Sequence, residues 1–192
     1  QEKKYVGKKE QWMYALGAGG QSMIYAMMSS YISDYYVNVL QLPLMFVLIL
    51  MLGARVWDAI NDPMMGMIVD RRTMKSGRMK PYIIMATPVI AILTLLMYLS
   101  PDMEQMPLMV FSAVVYLLWG MAYTMADVPF WTLPNVLTPN SKERSDVISF
   151  TKIINSIGSA IPEVFFFIIP LVVGMFINED TNPIEFGKMK YL

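Results

Sequence analysis

The 192-residue chain is 56% apolar and only 16% charged, against roughly 45–50% and 25% in a typical soluble domain, which excludes an ordinary globular fold. It has no cysteine and no histidine, so disulfides, thiol nucleophiles, Ser–His–Asp triads and His-ligated zinc are excluded too. Fifteen basic residues balance fifteen acidic ones; the balance gives no indication of nucleic acid, and the placement of the charges carries the information.

A membrane span needs ~20 largely apolar residues, and five stretches qualify: Trp12–Ile32, Pro43–Val69, Tyr82–Leu99, Leu108–Val136 and Val147–Phe176. The expectation is an all-α, polytopic membrane protein. The first stretch is too long for a signal peptide and shows no small-residue cleavage site. Short joints at 33–42, 70–80, 100–107 and 137–146 make successive spans antiparallel neighbours. Lys3, Lys4, Lys8 and Lys9 precede the first span, Arg71, Arg72, Lys75, Arg78 and Lys80 fill the second joint, and Lys142 and Arg144 the fourth. The joints 33–42 and 100–107 hold no Lys or Arg. The positive-inside rule therefore predicts a cytoplasmic N-terminus in the cell membrane. Lys188 and Lys190 disagree, because the tail from Ile177 falls on the outer side. Residues 1–176 then supply five helices, and 177–192 reads as an extracellular joint entering a truncated sixth span.

Charges inside the spans are the candidate functional residues. The run RVWDAINDP places Arg55, Asp58 and Asp62 within about 60° of one another on a helix. The fourth span carries Asp127, with Thr124 and Trp131 on nearly the same face; the fifth carries Lys152, followed by Asn155, Ser156 and Ser159. Three carboxylates facing lipid would cost on the order of 8 kcal/mol even on a lenient insertion scale. They must face one another or water. Asp58, Asp62 and Asp127 lie roughly 12–18 Å from the inner boundary at 1.5 Å per residue, near mid-membrane, and Gln21 and Ser22 reach a similar depth. Two readings stand. In one, Arg55 and Lys152 each neutralise an aspartate and hold helices together. In the other, three acids against two bases leave a carboxylate that awaits Na⁺ or H⁺. Trp131 beside Asp127 offers either a platform for a sugar ring or an interfacial anchor. Glu163 either lines an outer cavity or caps a helix broken at Pro162. Pro63, Pro129, Pro134 and Pro162 can kink spans, and Gly17, Gly19 and Gly20 permit close helix packing. The twenty methionines read as lipid-facing or core filler.

ARVWDAINDPMMGMIVD (54–70), SGRMKP (76–81) and YLLWGMAYTMADVPFWTL (116–133) closely resemble the glycoside–pentoside–hexuronide:cation symporters, typified by the melibiose permease, within the major facilitator superfamily. The resemblance runs from about Tyr14 to Ser159. It implies twelve spans in two six-helix halves around a central site, this chain being the N-terminal half and the C-terminal half its missing partner. It also implies a cation site at Asp58 and Asp62, the metal ligands if the ion is Na⁺, with Thr124 as a further ligand. For the substrate it implies Asp127, Trp131 and Lys152, to which Gln21, Ser22 and Tyr123 are added. Gly66-xxx-Asp70-Arg71 with Gly77-Arg78 resembles the superfamily's cytoplasmic loop, in which Asp70, Arg71 and Arg78 would form a charge network. One departure is Gln21-Ser22, where the melibiose permease has Lys-Asp; the lost acid removes the specific indication of a galactoside.

The expected function is secondary active transport, a sugar or glycoside moving with Na⁺, Li⁺ or H⁺ by alternating access. No cofactor beyond the coupling ion and no enzymatic activity is expected, since no nucleophile–base pair stands out. The alternatives are a family relative moving another solute such as a lysolipid, and a membrane sensor or structural protein that uses its acids as interhelical glue.

Overall fold

The computed structural model describes residues 4–71, 79–99 and 101–176. Its helices are α1 (Lys8–Asp34), α2 (Leu44–Arg71), α3 (Lys80–Met97), α4 (Gln105–Thr132), the short α5 (Pro134–Leu137) and α6 (Ser141–Phe176). A π-helical turn, Tyr35–Val39, continues α1. Each of the five predicted stretches falls on these helices. Among the described residues four helices are long and apolar enough to cross a membrane, the segments Leu44–Val69, Lys80–Met97, Gln105–Leu137 and Ser141–Ile168. At 27 residues α1 is long enough, but its three glycines, Gln21 and several serines make it more polar.

The joints are shorter than the sequence suggested. Most of 33–42 is helical, and the turn out of it places Gln41 at φ 53°, the left-handed conformation that commonly ends a helix. The fourth stretch does not run unbroken to Val136: α4 stops at Thr132, and Pro134 begins a separate four-residue turn. The fifth begins earlier, at Ser141, so Lys142 and Arg144 stand on the first turns of α6. Asn140 explains this start. Its Oδ1 accepts the main-chain N–H of Lys142 at 3.0 Å and of Glu143 at 3.4 Å, satisfying two donors that a helix end leaves without partners. The predicted tail, 177–192, lies outside the described residues.

Contacts divide the chain into two units, residues 1–41 with 137–192, and residues 42–136. In the first, α1 packs along α6. Trp12 meets Phe150 edge-on at 4.8 Å between centroids, and Tyr31 stacks on Phe166 at 3.6 Å. Both numbers rise together, so the two helices run in the same direction. Between these aromatic ends α1 buries Ala15, Ala18, Gly19, Ser22 and Ala26, small residues that let backbones approach. Gly158 of α6 sits at the closest point, where a Cβ would lie 2.7 Å from Gly19 Cα and 2.5 Å from Ser22 Oγ. Of the glycines expected to pack, Gly19 does so against Ile154, whereas Gly20 faces open space.

An arm before α1 is tied to the start of α6 through Glu143. Its carboxylate accepts the N–H of Tyr5 at 3.0 Å, the N–H of Val6 at 3.0 Å and the Thr138 hydroxyl at 2.6 Å. Glu10 reaches back to the Gly7 N–H at 3.0 Å, the side-chain half of a capping box.

In the second unit α4 packs against both α2 and α3. The Trp119 indole N–H donates to Thr94 Oγ1 at 2.9 Å, and the Thr132 hydroxyl contacts Met79 Sδ at 3.3 Å. Here the α3 numbers rise as the α4 numbers fall, so α3 and α4 are antiparallel, as their short joint requires. Met65, Val69, Met79 and Tyr82 form a buried cluster, flanked by Met125, Val128 and Leu133, which locks α2, α3 and α4 at one end.

Candidate functional site

The second unit holds the paired carboxylates. On α2, Asp58 and Asp62 are one turn apart, and α4 presents Gly120 and Thr124 at the same spacing. The Thr124 hydroxyl, itself buried, donates to Asp62 Oδ1 at 3.0 Å. Asp58 Oδ1 lies 3.5 Å from the point where a Cβ on Gly120 would stand. Asp58 thus faces Gly120 as Asp62 faces Thr124, which also fixes α2 and α4 as parallel. The register follows from helical geometry: positions i and i+4 stack on one face, so two i, i+4 pairs on parallel helices meet as a matched set.

Thr124, expected from the resemblance as a cation ligand, is hydrogen-bonded to one member of the aspartate pair. A hydroxyl has one proton and two lone pairs. It can donate to a lone carboxylate and, when a cation arrives, turn its oxygen toward the ion. Arg55 approaches Asp58 at 4.0 Å with its side chain 61% exposed, the loose end of the ion-pair range. Pro63, inside α2, brings no N–H, so the Ala59 carbonyl loses its usual helical donor between the two aspartates. Among the described residues no group of three or more acidic side chains is placed to hold a metal ion.

Asp127 lies one turn past Thr124, on the face that also carries Tyr123 and Trp131. The Trp131 indole N–H donates to Asp127 Oδ1 at 3.1 Å. The sequence placed the two side chains on one face, and the structure adds that the indole holds the carboxylate in position. Tyr123 stacks on Trp119 at 4.9 Å with rings 15° apart, and Trp119 is anchored to Thr94. The helix face Tyr123–Asp127–Trp131 is thus braced by side-chain contacts at both ends.

The remaining expected substrate residues lie in the other unit. Ser22 is buried, and its hydroxyl contacts the carbonyls of Gly19 at 2.8 Å and Asn155 at 2.7 Å. It joins α1 to α6, so a substrate contact is closed to it while the helices stay packed. Gln21 beside it is half-buried. Lys152 is exposed on α6, and its carbonyl accepts the Ser156 hydroxyl at 3.0 Å. Pro162 is buried within an unbroken α6, so Glu163 caps no helix break. Of the expected charge network, Asp70 and Arg71 close α2, and Arg78 lies outside the described residues.

Two contributors were missed in the sequence. Gly120 faces Asp58 across the two helices, and its only signal was its four-residue offset from Thr124. Glu143 was passed over although Asn140-x-x-Glu143 has the spacing of a helix cap with its acidic third residue.

Long apolar helices that carry carboxylates define a polytopic membrane protein. The chain belongs to the MFS/sugar transport protein family, whose model matches residues 13–187. It is similar to the Inner membrane symporter YicJ of Escherichia coli (strain K12), 28% identical over 178 residues, 93% of this chain and 38% of that protein. The Putative glycoside/cation symporter YagG of the same organism is 28% identical over 151 residues, 79% of this chain and 33% of that protein. More distant is the Sodium-dependent lysophosphatidylcholine symporter 1 of Xenopus tropicalis, 22% identical over 149 residues, 77% of this chain and 28% of that protein. The chain spans about a third of the length of the curated relatives it matches. The resemblance to the glycoside–pentoside–hexuronide:cation symporters is borne out, and the family is one of transporters.

Proposed function

We propose that this chain is the N-terminal half of a secondary transporter that moves a sugar or glycoside together with a monovalent cation, by alternating access between two halves. The observation that carries the reading is the matched pair of turns on α2 and α4, Asp58 against Gly120 and Asp62 hydrogen-bonded by Thr124. Two carboxylates one helical turn apart repel each other, and inside a bilayer their cost is relieved by a cation or a proton. Na⁺, Li⁺ or H⁺ arriving between them would accept Asp58, Asp62 and the Thr124 oxygen as ligands, or protonate one acid. Asp127, oriented by Trp131, would accept hydroxyl protons from the sugar, with Tyr123 on the same helix face; the family resemblance adds Gln21 and Lys152, which lie in the other unit. We place the N-terminus and the basic joints in the cytoplasm, with Asp70, Arg71 and Arg78 as a network on that side of the inner membrane.

Support for a sugar over a lysolipid comes from the family description and from the glycoside named for the more similar relative. The test is Asp58→Asn and Asp62→Asn in the full-length protein, reconstituted in liposomes. Cation-stimulated uptake should be lost in both while sugar exchange without a gradient persists. If both variants fold and keep full cation dependence, the cation site is elsewhere.

A further inference from the structure

One end of the first unit gathers bases where its exposed apolar surface begins. Two contacts fix the register of the parallel α1 and α6. Tyr5 meets Glu143 and Trp12 meets Phe150, a constant offset that sets the first turns of α6 beside the arm and the start of α1. Lys4, Lys8, Lys9 and Lys142 are exposed there, and Arg144 is half-buried. The grip of Glu143 on the arm holds Lys4 close enough to act on that carboxylate. The acids at this end are Glu10, Glu143 and Asp146. Glu10 and Glu143 are turned to main-chain N–H groups. Among the described residues no ion pair engages Lys8, Lys9, Lys142 or Arg144. The bases therefore outnumber the acids and are open to an anion.

The surface turns apolar within one helical turn of these charges. Lys8, Trp12 and Leu16 follow at spacings of four, as do Lys9 and Met13, and such positions stack on one side of a helix. Trp12 is 50% exposed, Met13 64% and Leu16 61%. From Lys8 to Leu16 the face runs about 12 Å at 1.5 Å per residue. Its order is ammonium, indole, aliphatic chain. A phospholipid has the complementary order: an anionic phosphate, an interfacial zone that indoles favour, and acyl chains. An acidic soluble protein would match the lysines alone, because the apolar half of the face lies at the depth of hydrocarbon.

We propose that this end of α1 and α6 is a docking surface for an anionic phospholipid of the cytoplasmic leaflet. Lys8, Lys9, Lys142 and Arg144 hold its phosphate, and its chains lie along Trp12, Met13 and Leu16. The choice of leaflet rests on the cytoplasmic N-terminus proposed above. The lipid contact itself depends neither on that orientation nor on the transported sugar.

The experiment is native mass spectrometry of the purified full-length protein in detergent, with phosphatidylglycerol and phosphatidylcholine of equal chain length. Phosphatidylglycerol should bind about tenfold tighter. Raising ammonium acetate from about 0.05 to about 0.5 M should erase most of that preference, with no variant needed. Lys8→Gln with Lys9→Gln, and separately Lys142→Gln with Arg144→Gln, should each lower it about threefold or more. Trp12→Ala should weaken both lipids alike. Lys80→Gln, at the start of α3 in the other unit, should leave the preference as it was. A preference that survives the salt or both double variants overturns the surface, as does an equal loss in Lys80→Gln, which marks diffuse attraction. Displacement of the lipid by glycerophosphoglycerol or by polyglutamate at matched concentration assigns the bases to a soluble anion or an acidic protein and overturns the lipid.

Discussion

Gly158→Ala tests the tightest glycine contact among the described residues. A methyl at this position would sit 2.7 Å from Gly19 Cα and 2.5 Å from Ser22 Oγ and would overlap the Gly19 carbonyl oxygen. The obstacle is mainly backbone, which cannot swing aside as a side-chain tip can. α1 and α6 would have to separate by several tenths of an ångström along a seam of alanines and glycines. Overpacking of this kind costs typically 1–3 kcal/mol. Separation also stretches the Ser22 contact to the Asn155 carbonyl, and an interhelical hydrogen bond within a membrane averages about 0.6 kcal/mol. Alanine favours a helix over glycine by about 0.8–1.0 kcal/mol, which offsets part of this loss. A net destabilisation of about 1–3 kcal/mol is therefore expected. Gly20→Ala is the control. A Cβ there meets nothing within 4 Å, so only the helix-propensity gain remains and stability should hold or rise. Denaturant unfolding in detergent micelles, followed by tryptophan fluorescence, measures both. Equal stability of Gly158→Ala and the unmodified protein, or equal loss in the Gly20 variant, would refute the seam as described.

Asp127→Asn should weaken sugar affinity about tenfold or more, since charge-assisted bonds are worth roughly 1.5–3 kcal/mol each. Trp131→Phe removes the indole N–H that holds Asp127 and should give a smaller loss; calorimetry reads both, and unchanged affinity in the pair would move the sugar elsewhere. Because the chain has no cysteine, Asn38→Cys and Lys142→Cys report topology directly. The first should react with an impermeant maleimide added outside intact cells and the second only after permeabilisation, and the reverse pattern would invert the assigned orientation.

The aspartate pair was legible in the sequence because helical spacing alone puts positions 58 and 62 on one face. Thr124 as their partner required the α2–α4 register, which no single helix encodes; its place beside the pair came only from family resemblance, and the structure shows its hydroxyl on Asp62. Ser22 shows the opposite limit. Its depth matched the site, but its direction depends on where α6 lies, and it faces Asn155. The helix start at Ser141 was missed because hydropathy locates the apolar stretch, whereas the Asn140 side chain sets the helix end. The break after Thr132 was hidden for a similar reason: Pro134 lies in a continuous apolar run, and only the backbone shows that the helix stops before it.

The grip of Glu143 on the arm has a consequence for sequence drift. The arm contributes main-chain N–H groups at positions 5 and 6, so the carboxylate reads no side chain there. Any residue that keeps its amide hydrogen serves equally well, and proline alone is barred. Selection on this attachment falls on the acid and on Thr138, leaving the residues they hold free to diverge.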